Sequence, residues 1–278
     1  MLKIDHELAY PTALATDGQG NVYVIDGDHQ RIQKFDGNGQ FLTMWGGIGD
    51  GHGQFVFRIR GPIPGGIAVD ERGVVYVADY YDRVQAFDGN GRFLFQWGRH
   101  GSSAGQVSFS SGLAVDGHGN VYVGDADNHQ IQKFDRMGRF LLEWGGAGGG
   151  DSEFLSLGGI AVDRSGHVIV GDADNSRIQL FDSTGRFLMS WGSPSASGIQ
   201  PEGPPGVAVD MGGNVYVARN NSDRIETYDH TGRFRTAWGG TGIGDGRFIY
   251  PSGIAVDGEG NVYITDVIGG RIQKFRIS

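Results

Sequence analysis

Short apolar runs rich in β-branched and aromatic residues recur along the whole chain, separated by clusters of Asp, Gly and Asn. Four kinds of run follow one another in a fixed order. The first reads Gly-Ile-Ala-Val, as at 66–69, and the second Asn-Val-Tyr-Val, as at 120–123. The third reads Arg-Ile-Gln-x-Phe, as at 177–181, and the fourth Arg-Phe-Leu-x-x-Trp, as at 186–191. Runs this short, bounded by turn residues, predict β-strands. The turns are explicit: Asp70-Glu71-Arg72-Gly73 joins a first run to a second, and Asp182-Ser183-Thr184-Gly185 a third to a fourth. Asp opens each turn, and Gly takes the left-handed position at its end.

The order itself repeats. Leu14-Ala15-Thr16-Asp17 returns as Ile67-Ala68-Val69-Asp70, Leu113-Ala114-Val115-Asp116, Ile160-Ala161-Val162-Asp163, Val207-Ala208-Val209-Asp210 and Ile254-Ala255-Val256-Asp257, at spacings of 53, 46, 47, 47 and 47. A Trp-Gly pair keeps the same period at Trp45, Trp97, Trp144, Trp191 and Trp238. Four strands per unit at this period predict the blades of a propeller, here all-β and six-bladed, as one domain over residues 1–278. The sixth unit ends at Arg271-Ile272-Gln273-Lys274-Phe275-Arg276-Ile277-Ser278 without a fourth strand. Residues 1–9 stand where that strand is missing, so Leu2–Glu7 is expected to complete the last blade and remove an exposed sheet edge. A ring closed by its own chain is expected to be a monomer.

Composition narrows the partners. Of 278 residues 51 are Gly, without the every-third-position period of collagen, so they mark turns. A formal net charge of −9 makes sequence-independent binding to nucleic acid or anionic membrane unexpected. There is no Cys, which excludes disulfide and thiolate chemistry. No apolar run is long enough to span a bilayer, and Met1-Leu2-Lys3-Ile4-Asp5-His6-Glu7 lacks the apolar core of a signal peptide. A cytoplasmic protein fits, although a mature exported one would read the same.

The pattern Pro-x-Gly-Ile-Ala-Val-Asp, then Gly-Asn-Val-Tyr-Val-x-Asp, then Asn-x-Arg-Ile-Gln-x-Phe-Asp resembles the NHL repeat, over essentially the whole chain. The resemblance implies the six-bladed fold. It leaves function open, because NHL propellers serve as RNA- and protein-binding domains, as extracellular sensors and as the catalytic domain of the peptide-amidating lyase. No matched set of that lyase's histidine, arginine and tyrosine ligands is present here.

Residues found in every blade are expected to serve the blade. The Trp series then packs between blades, and the Asp17/Asp70/Asp116 series makes Asx turns. The arginines opening third strands (Arg31, Arg83, Arg177, Arg224, Arg271) pair with carboxylates such as Asp26 or Asp79, and Asp36-Gly37-Asn38-Gly39 is a tight turn. Function is sought where blades differ. Trp45 to Asp70 is 25 positions against 19 in later blades, which inserts six residues within His52–Pro64. Asp79 to Arg83 is four positions against five elsewhere, with Tyr80-Tyr81-Asp82 between. In a propeller both loops share one face, around the channel mouth. Phe55, Phe57, Arg58, Arg60, Tyr80 and Tyr81 are therefore the candidate ligand-binding residues. Arg219 joins them, because it replaces the Asp found at Asp125 and Asp172. It would reach the channel mouth to attract an anion, or pair with Glu202.

Of eight His, His29 and His129 are the candidate metal ligands, for zinc or calcium. They lie two blades apart and could converge only over the channel, and no His-x-His or His-x-x-x-His spacing exists, so no cofactor is expected. There is no Gly-x-Ser-x-Gly elbow and no Gly-x-x-x-x-Gly-Lys-Ser/Thr loop. The leading expectation is a recognition scaffold for a protein, peptide or small anionic ligand. The alternatives are a metal-assisted lyase or hydrolase, with Tyr80 or Tyr81 as acid or base and Arg219 steadying an oxyanion, and an RNA-binding domain.

Overall fold

A computed structural model describes residues 2–4, 6–57, 65–192 and 206–276. The chain forms six four-stranded antiparallel sheets arranged as the blades of a propeller. Five blades are continuous, at 11–46, 67–97, 110–145, 157–191 and 206–239. The sixth takes 251–276 and adds Leu2–Ile4 as its outermost strand, paired antiparallel as Leu2↔Lys274, Lys3↔Gln273 and Ile4↔Ile272. The ring therefore closes as the repeat predicts.

Position in the ring sets the burial of each strand. Second strands, such as Val22–Asp26 and Val121–Asp125, are buried at every residue because both sheet faces pack on neighbouring blades. Outer strands such as Phe41–Gly46 and Phe140–Gly145 alternate between half-buried and exposed. Trp45 packs its ring on Tyr23 of its own blade and on Phe87 of the next, at centroid distances of 6.3 and 5.8 Å. Gly91, in the next blade's last turn, lies directly beneath that Trp: a Cβ there would meet the indole at 2.5 Å, and φ is +86°. Gly138 lies under Trp97 in the same way. Glycine in this turn thus supplies both a left-handed backbone and clearance for the neighbouring blade.

The first turn of each blade is held by its aspartate. Asp116 Oδ1 accepts the backbone N–H of His118 and Asn120, and Oδ2 accepts Asn120 Nδ2 and the Tyr122 hydroxyl. Burial would push this carboxyl up, but these donors outweigh it and hold it below the usual range. Burial, then the charge of the turn aspartate, pushes the phenols of Tyr23, Tyr122 and Tyr263 up. Asp36 Oδ1 likewise accepts the N–H of Asn38 and Gln40, a tight turn.

At the opposite end of the blades, the aspartate closing the second strand ties three segments together. Asp172 takes Arg177 Nε at 2.9 Å, Asn175 Nδ2 at 2.8 Å and the backbone N–H of Leu155 at 3.1 Å. Arg177 and Gln179 also donate to the Glu153 carbonyl, which staples the incoming loop to the sheet. Arg31, Arg83 and Arg271 pair with Asp26, Asp79 and Asp266 in the same position. Ala9, Ser108 and Ile249 donate backbone N–H groups to Asp26, Asp125 and Asp266, so the blade-linking loops and the second-to-third-strand loops share one face.

Candidate site at the channel mouth

The first strands line a central funnel of about 100 Å³. Successive positions along these strands give it layers. Thr12, Ser111 and Ser252 supply hydroxyls nearest the face that carries the blade-linking loops, with Asn220 and Tyr250 beside them. One residue further on comes a ring of small residues, Ala13, Gly66, Gly112, Gly159, Gly206 and Gly253. The inner strands approach closely here: a Cβ on Gly66 would meet Leu113 N at 2.5 Å, and one on Gly253 would meet Ala13 Cα at 2.7 Å. The next position in the six blades is Leu14, Ile67, Leu113, Ile160, Val207 and Ile254, each 5–7% exposed. A polar mouth thus stands over an aliphatic floor.

Three atoms at this mouth carry unused hydrogen-bonding capacity. Thr12 Oγ1, Ser111 Oγ and Asn220 Oδ1 are buried and have no partner among the described residues. Such groups are costly unless water or a ligand satisfies them. Just before the first strands, Tyr10, Phe109 and Tyr250 occupy left-handed backbone at φ 58°, 61° and 64°, and Tyr250 lines the mouth. This conformation is rare for bulky side chains and is held here by flanking contacts. Phe109 N donates to Asp82 Oδ1 and Tyr250 N to Asp223 Oδ1, both at 2.7 Å. Burial, then the proximity of Tyr10, raises the Tyr250 phenol.

Among the described residues, those singled out from the sequence are split between core and loop, although the two segments touch: Tyr80 N donates to the Val56 carbonyl at 2.9 Å. Phe55 and Phe57 are 0% and 2% exposed and stack on each other at 5.1 Å inside the core, so neither is a loop-face contact. Phe55 in fact belongs to the repeat. It bridges Ile48 in parallel, as Val107 bridges His100, Phe154 bridges Ala147 and Phe248 bridges Thr241. Fifteen positions separate Phe55 from Asp70 against nine from Phe154 to Asp163, so the insertion lies after Phe55. Arg58, Arg60 and Glu202 lie outside the described residues. Tyr80 is half-buried, at the position that Asn220 holds in the fifth blade. Tyr81 is 43% exposed and lies over the Arg83 guanidinium at 5.3 Å.

Arg219 is 6% exposed and donates from Nε to Glu226 Oε2 at 2.9 Å. Tyr228 donates its hydroxyl to the same oxygen at 2.7 Å, and burial, then that contact, pushes the phenol up to about 12. Other blades have Asp, Gln and Phe at these three positions, as in Asp172, Gln179 and Phe181. The fifth blade has exchanged the whole set, and its arginine serves a carboxylate within its own sheet. His29 is engaged by Asp26 at 2.9 Å, whereas His129 Nδ1 has no partner among the described residues. No group of three His, Asp or Glu able to hold a metal ion occurs among the described residues.

A family model, the NHL repeat, matches residues 8–35, 111–134, 154–181 and 248–275. The chain is a six-bladed β-propeller with NHL repeats in four of its blades. A comparison of this NHL propeller with curated protein sequences gives no significant match. Among solved structures, a streptogramin B lyase superposes with a TM-score of 0.67 at 13% identity, over 98% of this chain and 95% of that one. Virginiamycin B lyase from Staphylococcus aureus, as a catalytically inactive form with quinupristin, gives 0.67 at 12% identity over 100% and 98%. A protein of unknown function from Bacteroides thetaiotaomicron gives 0.69 at 18% identity over 98% and 70%. At these identities the NHL propeller shares the fold with its neighbours.

The mouth residues themselves were missed from sequence. Thr12, Ser111 and Asn220 come from three blades that only ring closure brings together. Their one signal is that Thr12, Ser111 and Ser252 stand where the fourth blade has Gly158.

Proposed function

We propose that this propeller is a recognition scaffold that takes an uncharged, hydrogen-bonding segment of a peptide or partner protein into the mouth of its channel. The observation that carries this reading is the set of three unpartnered atoms, Thr12 Oγ1, Ser111 Oγ and Asn220 Oδ1, on residues that line the mouth above an aliphatic floor. Hydroxyl and amide groups match the N–H and C=O groups of a peptide. Tyr250, which lines the mouth, supplies a side chain of a kind favoured at recognition surfaces. An anionic ligand is the less supported choice, because Arg219, the cation expected here, is joined to Glu226. A net charge of −9 weighs against RNA. The lyases among the structural neighbours share the fold at 12–13% identity, and their chemistry is not carried over.

Selection of a displayed random-peptide library on the wild-type protein and on Thr12→Val/Asn220→Ala tests this reading. Peptides that bind the wild type and lose about tenfold or more in affinity on the variant are expected. Enrichment of no peptide, or of peptides indifferent to the variant, would overturn it.

A further inference from the structure

The opposite face holds a second, larger cavity of about 290 Å³, between the fourth and fifth blades. The repeat explains its origin. Second strands carry Tyr at Tyr23, Tyr76, Tyr122, Tyr216 and Tyr263, but the fourth blade has Ile169. Third strands carry Lys at Lys34, Lys133 and Lys274, where the fourth blade has Leu180. Only the fourth blade combines a missing phenol with an aliphatic side chain at the Lys position, and Ile169, Leu180 and Trp191 line the space that results.

The sister blades show what chemistry fills this space. Lys34 Nζ lies 4.9 Å from the Tyr23 ring centroid, Lys133 5.0 Å from that of Tyr122, and Lys274 5.2 Å from that of Tyr263. Each ammonium donates to a carbonyl in the last turn of the following blade: Gly89 at 3.0 Å, Ser183 at 3.0 Å and Gly37 at 2.9 Å. The equivalent residue beside the cavity is His230. Each phenol donates to the aspartate of its own first turn, as Tyr122 does to Asp116 at 3.1 Å. In the fourth blade that aspartate is Asp163. Its Oδ2 accepts one side-chain donor among the described residues, His167 Nδ1 at 2.9 Å, whereas Asp116 Oδ2 accepts two and has Lys133 Nζ at 3.9 Å. The cavity therefore retains the acceptors of a phenol–ammonium pair without the pair itself. Arg164, on the exposed rim, is the opposing charge, and Asp163 and Asp210 line the wall below.

We propose that this cavity is a binding site for a small protonated arylalkylamine. The aromatic ring lies between Leu180 and Trp191, its phenolic or other donor group meets Asp163, and its ammonium meets the His230 carbonyl. The volume is close to the lower end of small-molecule pockets, at about 300 Å³, which suits a ligand of this size. The site is separate from the channel mouth and independent of the function proposed for it.

Isothermal titration with tyramine tests the proposal, with 4-hydroxyphenylacetate as the anionic control. Saturable one-to-one binding of tyramine, and at least tenfold weaker binding of the acid, is expected. Ile169→Tyr/Leu180→Lys restores the residues of the sister blades and should abolish binding while the protein melts cooperatively. Asp163→Asn leaves the cavity open and should weaken tyramine about tenfold. Absence of saturable binding to the wild type, equal binding of amine and acid, or binding that survives both variants would overturn the proposal.

Discussion

Two departures from the repeat, one in the fifth blade and one in the fourth, have opposite consequences. At 219, 226 and 228 the fifth blade exchanges Asp, Gln and Phe for Arg, Glu and Tyr, and every new polar group meets another at 2.7–2.9 Å. At 169 and 180 the fourth blade exchanges Tyr and Lys for Ile and Leu, and nothing in the fifth blade grows to fill the space. The first departure is compensated within one sheet and leaves the blade whole. The second is not compensated and leaves an opening with acceptors on its wall. Deviation from a repeat is thus a poor guide to a site when taken alone. What matters is whether the partners of the lost side chain have changed with it.

Opening the ring is the strongest way to disturb both departures. Deletion of residues 1–9 removes the strand paired as Leu2↔Lys274 through Ile4↔Ile272, and with it the buried Ile4 and Leu8. Its thermal transition is expected to lose cooperativity or fall sharply, and an unchanged cooperative melt would refute closure by this strand. Arg219→Asp alone places a carboxylate against Glu226 in a largely buried setting. It should cost about 2–3 kcal/mol in chemical denaturation, less than a fully buried broken pair because Glu226 is partly exposed.

The smallest effect concerns the third blade, where Gln130 stands in place of the arginine. Burial holds Asp125 above the usual carboxylate range, against the donors Asn128, Ser108 N and Gln132. A raised carboxylate favours the native state when protonated, so its charge costs stability as pH rises above the ordinary carboxylate range. Gln130→Arg would supply the missing cation. A gain of about 1 kcal/mol at pH 7, fading as the pH falls and Asp125 takes up its proton, is expected from denaturation at several pH values.

The fold was legible because its determinants are local and repeated. An aspartate accepting N–H groups two and four residues on, and a glycine under the neighbouring Trp, recur in step with the 47-residue period. Phe55 was misread because Trp45 and Asp70 bracket too wide a span. The short phrase Gly53-Gln54-Phe55, matched by Gly246-Arg247-Phe248, marks it as a repeated core residue. For Arg219 the sequence offers Glu202 or an anion as partner, whereas the carboxylate it meets, Glu226, is seven residues on, across adjacent strands. The channel mouth and the cavity join residues from different blades, and their juxtaposition depends on how the ring closes.

Chemical denaturation of two reverting variants, side by side, tests the distinction between compensated and uncompensated departures most directly. Arg219→Asp/Glu226→Gln, which restores the common pair, should match the wild type within about 1 kcal/mol. Ile169→Tyr/Leu180→Lys, which refills the opening, should gain about 1–2 kcal/mol. A large gain from the first, or a loss from the second, would contradict the distinction and with it the assignment of the cavity.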